Sequence, residues 1–507
     1  MHHLRVPARA GALLAVACFL VSASPASAAL DEVDTQKLRK AVTVNGILGH
    51  ERALQSIANL NGGTRASGTP GYDASAAYVK RKLQAAGYKV TEQEFEFPFF
   101  EETAPAVFER TSPTPRTYVN PDEFVTMEYS GSGDTTAAVQ AVDVQVPPPA
   151  QPGSTSGCEA ADFAGFTAGN IALIQRGTCD FAVKAANAEA AGASAVIIFN
   201  EGQPGRQETL NGTLGGPAAT IPVLGTSFAV GEELVGLGAS QVHIATSTLS
   251  ETRHTKNVLA DSEGGDAAQT VVVGAHLDSV PEGPGINDNG SGTATDLEVA
   301  VQLAKLDVTP RRQLRFAFWG AEESGLLGSQ HYVDTRGDEL SSIYANLNFD
   351  MVGSPNYVRF VYDGDGSATP AAGPPGSAQI EALFNDYFAG RGHATDPTAF
   401  DGRSDYGPFI ATGVPAGGLF TGAEGVKTPE QAAVYGGTAG VAYDPNYHAA
   451  GDTTNNLNTK ALNEMSDAVA HATQTLARSR SGFFEDGSRQ TTRKVKLRTY
   501  RGPNAVR

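Results

Sequence analysis

Apolar positions along this chain follow two periods, and the change from one to the other divides it. Residues 31–90 are mainly helical in pattern: within Ala74–Ala86, Ala77, Tyr78, Lys82, Leu83 and Ala86 fall at helical spacing, and Gly87 ends the run. The stretch Gly62–Gly71 reads as a loop, and Val90–Phe100 alternates as a strand. Residues 101–155 are rich in Pro, Ser and Gly with short Val-containing strands, and Pro147-Pro148-Pro149 reads as a linker. Between about 156 and 250 short apolar strands (Asn170–Gln175, Ala195–Asn200, Ile221–Leu224) surround an Ala-rich helix, Phe181–Ala191. From 255 onward buried strands alternate with helices. The strands are Thr270–Gly274, Leu314–Trp319, Tyr344–Asp350, Tyr357–Tyr362 and Pro415–Phe420. The helices are Gly292–Leu306, Gly325–Val333, Ala378–Ala389 and Lys460–Ala477. That alternation predicts a three-layer α/β domain, interrupted by the segment of different texture.

The two ends differ from the body. His2, His3, Arg5 and Arg9 precede the apolar run Gly11–Val21, and Ala26-Ser27-Ala28 follows as a small-residue cleavage site. Residues 1–28 therefore read as a signal peptide, and the mature protein is expected to be secreted and extracellular. The run is too short for a bilayer, which needs about 20 apolar residues, so no membrane association is expected. Once Cys18 leaves with this leader, Cys158 and Cys179 remain, and an oxidising compartment lets them pair. Residues 478–507 hold nine Arg and Lys against Glu485 and Asp486, which reads as a basic tail, disordered or processed. The whole chain of 507 residues carries 37 Lys+Arg against 55 Asp+Glu, a net charge of −18 that counts against nucleic-acid partners.

The chemistry collects where strands end. His276 and Asp278 follow the strand through Gly274, and in an extended H-x-D both side chains share a side. His276 can then ligate a metal while Asp278 orients its surroundings. Asp288 lies in the glycine-rich loop Gly285–Gly292, Glu322-Glu323 follow the strand ending at Trp319, and Asp350 follows Asn348-Phe349. Tyr447-His448 stand in a later loop, ahead of Gly451-Asp452. Histidine and carboxylate donors without thiolate suit zinc, and also cobalt or manganese. Each motif alone has an ordinary structural explanation; the order of all of them is what points to a metal site at the carboxyl edge of an open sheet.

These motifs resemble those of the di-zinc aminopeptidases of the bacterial leucyl aminopeptidase and aminopeptidase Y type, over roughly residues 31–130 and 251–477. The match is carried by Gly274–Ser279, Gly285–Asn289, Trp319–Glu323, Asn348–Met351, Asp401–Asp405 and Gly418–Gly422. Asn170–Gly177 and Ala191–Ile198 resemble the protease-associated (PA) domain, whose implied role is a lid or substrate-access element. The resemblance implies a three-layer αβα mixed-sheet zinc-peptidase domain with an inserted β-rich PA domain. It partitions the chain into a signal peptide (1–28), a first peptidase part (29–130), the PA insertion (131–250), the catalytic part (251–477) and the tail (478–507).

It further implies two zinc ions, Asp288 bridging them, His276 and Asp350 completing one set and Glu323 and His448 the other. Glu322 would be the general base and Tyr447 the group that stabilises the oxyanion. The backbone around Arg403, with Glu322 and Asp350, would receive the substrate ammonium, and Met351 and Phe420 would line the pocket for its first side chain. Some relatives flank the Tyr-His pair with cysteines; Asn446 and Gly451 stand there here, so this loop must be held by packing. The expected activity is hydrolysis of the N-terminal bond of peptides with a free N-terminus, large apolar residues such as Leu preferred, by a monomer. The alternatives are a carboxypeptidase, a glutaminyl-cyclase-like enzyme of the same superfamily, or an inactive binding protein on the same fold.

Overall fold

The computed structural model describes residues 30–484; the expected signal peptide and residues 485–507 of the expected tail lie outside them. The strands, in chain order, are β1 (Lys89–Ser112), β2 (Arg116–Thr117), β3 (Phe124–Thr126), β4 (Gly133–Val142), β5 (Ile171–Gln175), β6 (Ala195–Phe199) and β7 (Val223–Thr226). There follow β8 (Gln241–Asp261), β9 (Asp266–His276), β10 (Arg312–Trp319), β11 (Ile343–Phe349), β12 (Phe360–Tyr362), β13 (Asp396–Thr398) and β14 (Ala416–Phe420).

In the larger unit the sheet order is β13-β12-β14-β11-β9-β10-β8. The pairs β10/β9, β9/β11 and β11/β14 are parallel, while β8/β10 and β12/β14 are antiparallel, giving a mixed sheet. Its central strands are mostly apolar because both faces are covered. Val271, Val273, Phe316 and Phe318 pack on one face against helices Val44–Leu60, Pro70–Ala85, Gly292–Lys305, Ser377–Ala389 and Thr459–Arg478. Their neighbours Val272, Ala317 and Trp319 point the other way, onto helices Leu327–Arg336 and Tyr406–Ala411. The period of two along each strand thus makes the three layers.

The inserted unit repeats the device on a smaller scale, in the order β4-β5-β6-β7-β3, and because β3 pairs with β7 it takes in residues 124–130, which were expected to belong to the first peptidase part. Val196 and Ile198 pack with Phe181 and Ala185 on one face, while Ala195, Ile197 and Phe199 meet Val230 and Leu234 of helix Phe228–Leu237 on the other. Cys158 and Cys179 form a disulfide with Cα atoms 5.9 Å apart.

Four further sequence expectations are revised. Gly62–Gly71 is not loop to its end: Pro70 and Gly71 open a helix capped by the Thr69 side chain. The triproline is no linker between units, since it lies in the connection between β4 and β5 inside the smaller one. The strand read as Val90–Phe100 runs on to Ser112, pairing with β8 from Lys89↔Asp261 to Ser112↔Gln241. Pro98 and Pro105 are tolerated because most of β1 pairs on one side only, and the register shifts around Pro105. One end of this β1/β8 ribbon continues into β10 and the other into β4, so the insertion is carried on a two-stranded arm. Packing also continues past residue 477, where the tail was expected to begin: Phe483 is fully buried and stacks on Tyr344 at 4.5 Å.

Candidate metal centre and active site

Parallel pairing of β9, β10, β11 and β14 brings their carboxyl ends to one edge, where open α/β sheets place their sites. His276 ends β9, Glu322 and Glu323 follow β10 after Gly320-Ala321, and Asp350 follows β11. Asp288 comes from a tight turn, Ile286–Ser291, that feeds helix Gly292–Lys305. This turn packs so closely on β11 that a Cβ on Gly292 would stand 2.1 Å from the Phe349 carbonyl oxygen. Asn289 ties the two together: its amide donates to the Phe349 carbonyl at 2.9 Å, and its oxygen accepts from the Gly292 and Met351 N–H groups.

Asp288 divides its carboxylate between two histidines. Oδ1 is 3.2 Å from His276 Nε2, and Oδ2 is 3.2 Å from His448 Nε2. His276 Nε2 is also 3.3 Å from Asp350 Oδ1 and 3.9 Å from Glu322 Oε2, while His448 Nε2 is 3.0 Å from Glu323 Oε2. The donor atoms of His276, Asp288 and Asp350 lie within 4.8 Å of one another, as do those of Asp288, Glu323 and His448. The two groups share Asp288.

The electrostatics call for added positive charge. Burial alone would lower the His276 pKa, yet the carboxylates of Glu322 and Asp350 carry it well above the usual range. His448 is pushed up to about 11 against burial by the charges of Glu323 and Asp288. Burial raises Glu323 to about 7 and Glu322 well above a normal carboxyl. Asp288 moves the other way: burial opposes it, but the two histidines hold its carboxyl below the usual range. Glu323 Oε1 and His448 Nε2 are buried without a hydrogen-bond partner, although carboxylate oxygens stand close to the imidazole. Two histidines among four carboxylates, with donor atoms left over, fit divalent metal and zinc in particular.

The predicted supporting residues reach the same place. Asp278 is buried; its Oδ1 accepts from the Glu322 N–H at 3.3 Å and its carbonyl oxygen is 3.1 Å from His276 Nδ1. Tyr447, Met351, Phe420 and Arg403 line a cavity of about 70 Å³ together with His276, Asp288, Glu322, Glu323 and Asp350. The Tyr447 ring stacks on His448 at 3.8 Å, and Arg403 Nη1 meets Glu424 Oε1 at 2.7 Å on the rim. His448, Met351 and Ala321 have φ of 54°, 54° and 52°, left-handed values that cost non-glycine residues free energy and gather at functional sites.

The loop bearing His448 is fastened by polar bonds where packing was expected. Asn446 donates to Asn456 Oδ1 at 2.7 Å, and a Cβ on Gly451 would lie 2.1 Å from Asn446 Oδ1, so these two positions touch. The sequence alone assigns no role to three further residues that shape the centre. Asp452 accepts from the N–H groups of Asn287 and Asp288 at 2.8 and 2.9 Å. Ser404 Oγ donates to Asp350 Oδ2 at 2.5 Å. Arg65, fully buried, donates to the carbonyl oxygens of Pro284, Leu277 and Gly285, bracing the approach to Asp288. Ser404 sits inside a quoted motif and Asp452 beside a ligand, which were the available signals; Arg65 offered none beyond being a lone cation in a glycine-rich loop.

Comparison with known proteins places this geometry. Residues 257–473 match Peptidase family M28 and residues 139–234 match the PA domain. An aminopeptidase of Pseudomonas aeruginosa is 48% identical over 443 residues, which span 87% of this chain and 82% of that protein. Leucine aminopeptidase 2 of Trichophyton rubrum is 49% identical over 333 residues, 65% of this chain and 66% of its own. Among solved structures, the aminopeptidase from Aneurinibacillus sp. strain AM-1 aligns with a TM-score of 0.65 at 26% identity, covering 88% of this chain and 96% of its own. The zinc aminopeptidase BSAP of Bacillus subtilis gives 0.56 at 26% identity, covering 85% and 94%. The chain belongs to peptidase family M28, with a PA domain inserted into its mixed-sheet peptidase fold.

Proposed function

We propose that the protein is a secreted di-zinc aminopeptidase that removes N-terminal residues, large apolar ones such as Leu preferred, from peptides with a free N-terminus. The observation that carries this reading is the sharing of Asp288 between two donor groups, His276 with Asp350 and Glu323 with His448. Relatives named aminopeptidase or leucine aminopeptidase support the activity. The disulfide supports export, and no helix among the described residues is long and apolar enough to cross a membrane.

Two zinc ions held there would polarise the scissile carbonyl and lower the pKa of a water molecule. The protein's own part is positional. Asp288 offers one oxygen to each group, and Asp278 fixes the main chain at Glu322. Glu322 is the general base: its carboxylate, desolvated and 3.9 Å from His276 Nε2, takes a proton from water and later passes it to the leaving amine. The Tyr447 hydroxyl donates to the oxygen of the attacked carbonyl. Glu322, Asp350 and the backbone at Arg403 receive the free ammonium, and Met351 and Phe420 form the apolar wall for the first side chain. Arg403 is the one arginine or lysine among the described residues lining this cavity, and its pairing with Glu424 argues against reading a terminal carboxylate. That favours an aminopeptidase over a carboxypeptidase.

The test is zinc-loaded enzyme with Leu-p-nitroanilide, its N-acetylated form and a glutaminyl peptide. Rapid release from the first alone is expected. Equal cleavage of the acetylated substrate, or cyclisation of the glutaminyl peptide without hydrolysis, would overturn the assignment.

A further inference from the structure

A second cavity, of about 400 Å³, opens between the two units and reaches the metal centre at Glu323 and His448. Its peptidase wall includes Glu323 and His448; its other wall comes from the insertion, through Glu128, Tyr129 and Asn211. Glu323 also lines the small cavity that holds Met351 and Phe420. The two spaces therefore meet at one donor residue. The small one has room for a single side chain, whereas the larger is of the size that takes a peptide segment. A peptide with its first residue in the small cavity has a path for its remaining residues past Glu323 into the larger one.

The wall given by the insertion is built rather than incidental. The Glu128 main chain is held by residues 212–214, its N–H donating to the Gly212 carbonyl and its own carbonyl accepting from Leu214, both at 3.0 Å. Tyr129, left-handed at φ 66°, meets Phe100 of β1 edge-on at 5.8 Å and donates to the Pro98 carbonyl at 3.4 Å. The insertion is thus seated against the arm that carries it, with Glu128 on the cavity wall. Burial raises the Glu128 carboxyl, and the side chains that hydrogen-bond it, Thr213 and Tyr129, are both uncharged. A desolvated carboxylate of this kind gains most from an incoming cation. Glu282, across the cavity, is exposed, so solvent screens it.

We propose that this groove holds the peptide beyond the scissile bond and that Glu128 selects a lysine or arginine side chain at the first or second residue past that bond. The proposal rests on the aminopeptidase reading above and names its substrate class.

The test uses full-length zinc-loaded enzyme and two peptide pairs, Leu-Lys-Ala against Leu-Glu-Ala and Leu-Ala-Lys against Leu-Ala-Glu. In at least one pair the cationic peptide should have a kcat/KM about tenfold above its acidic twin, as a charge-assisted contact gives. Glu128→Gln should bring that ratio to near one, and Glu128→Lys should invert it. Because the readout is a ratio within one enzyme, the folded fraction cancels. A wild-type ratio near one in both pairs, a ratio unchanged in Glu128→Gln, or one abolished by Glu282→Gln alone would overturn the assignment to Glu128. Hydrolysis of Leu-p-nitroanilide by the wild type separates the two readings. If it proceeds while the ratios are flat, only the groove proposal falls; if it does not, the aminopeptidase reading falls and this one with it.

Discussion

Asp452 grips the main chain of Asp288: its Oδ2 accepts from the Asp288 N–H at 2.9 Å while its Oδ1 accepts from Asn287 at 2.8 Å. The loop carrying His448 thereby sets the position of the carboxylate that faces His448, so the two donors cannot drift apart independently. Replacing Asp452 by Asn turns one acceptor into an amide that points at an N–H. The expected result is a folded protein whose zinc affinity falls about 10- to 100-fold, the usual cost of losing a support to a ligand. Competition with a chromophoric chelator measures this, and affinity within twofold of wild type would show that Asp452 is not such a support.

Glu322 should separate binding from turnover. It lies 3.9 Å from His276 Nε2, further than Asp288 or Asp350, and its main chain is fixed by Asp278. Glu322→Gln is expected to keep its zinc and lose about 10²- to 10⁴-fold in kcat, the range for removing a general base. Metal content per chain and kcat, measured on the same sample, decide it; near wild-type turnover would remove Glu322 from that role.

What could be read from the sequence follows from how local each cause is. His276, Glu322 and Asp350 were legible because each ends or closely follows a strand whose apolar run marks it, and their order along the chain is distinctive. The three-layer fold was legible for the same reason, since Val271–Val273 and Phe316–Trp319 are apolar on both faces. The role of Asp452 was not, because its partner is 164 residues earlier, and Arg65 acts on carbonyl groups more than 200 residues away. Side-chain-to-backbone bonds of this kind leave no periodic trace. The β1/β8 arm was hidden by prolines that normally break strands, and edge position is a tertiary property.

Metal loading should displace protons. Without metal, His448 at about 11 is protonated at neutral pH and Glu323 at about 7 is half protonated. Both must lose those protons to act as donors, so affinity rises with pH, by about tenfold per unit for each proton released. Zinc titrations of chelator-stripped protein at pH 6 and 8, in buffers of different ionisation enthalpy, report the proton count. An affinity independent of pH would contradict the electrostatics of the cluster.

The segment after the last helix should matter for stability. Phe483 is fully buried on Tyr344, and Arg312 donates to the carbonyl oxygens of Ser479 and Ser481 at 3.0 Å. Phe483→Ala is expected to cost about 3–5 kcal/mol, as for other buried phenylalanines. Urea unfolding measures it, and a loss under 1 kcal/mol would mean that the segment is not part of the core.

His471 should give the fold a defined sensitivity to acid. Burial first, then the charges of Arg39 and Arg391, lower its pKa from 6.5 to about 4. Its Nδ1 lies 2.9 Å from Thr35 Oγ1, and its ring stacks on Tyr387 at 4.6 Å. Between pH 6.5 and 4 the unfolded chain therefore binds a proton that the folded one refuses, so stability present above that window is lost as pH falls through it. At pH 4.5 this amounts to about 2 kcal/mol from this one group. His471→Gln keeps a polar contact without the titration. Urea midpoints for both proteins at pH 7 and 4.5 should show the variant losing less stability on acidification by about that amount. Equal losses in the two proteins would place the acid sensitivity elsewhere.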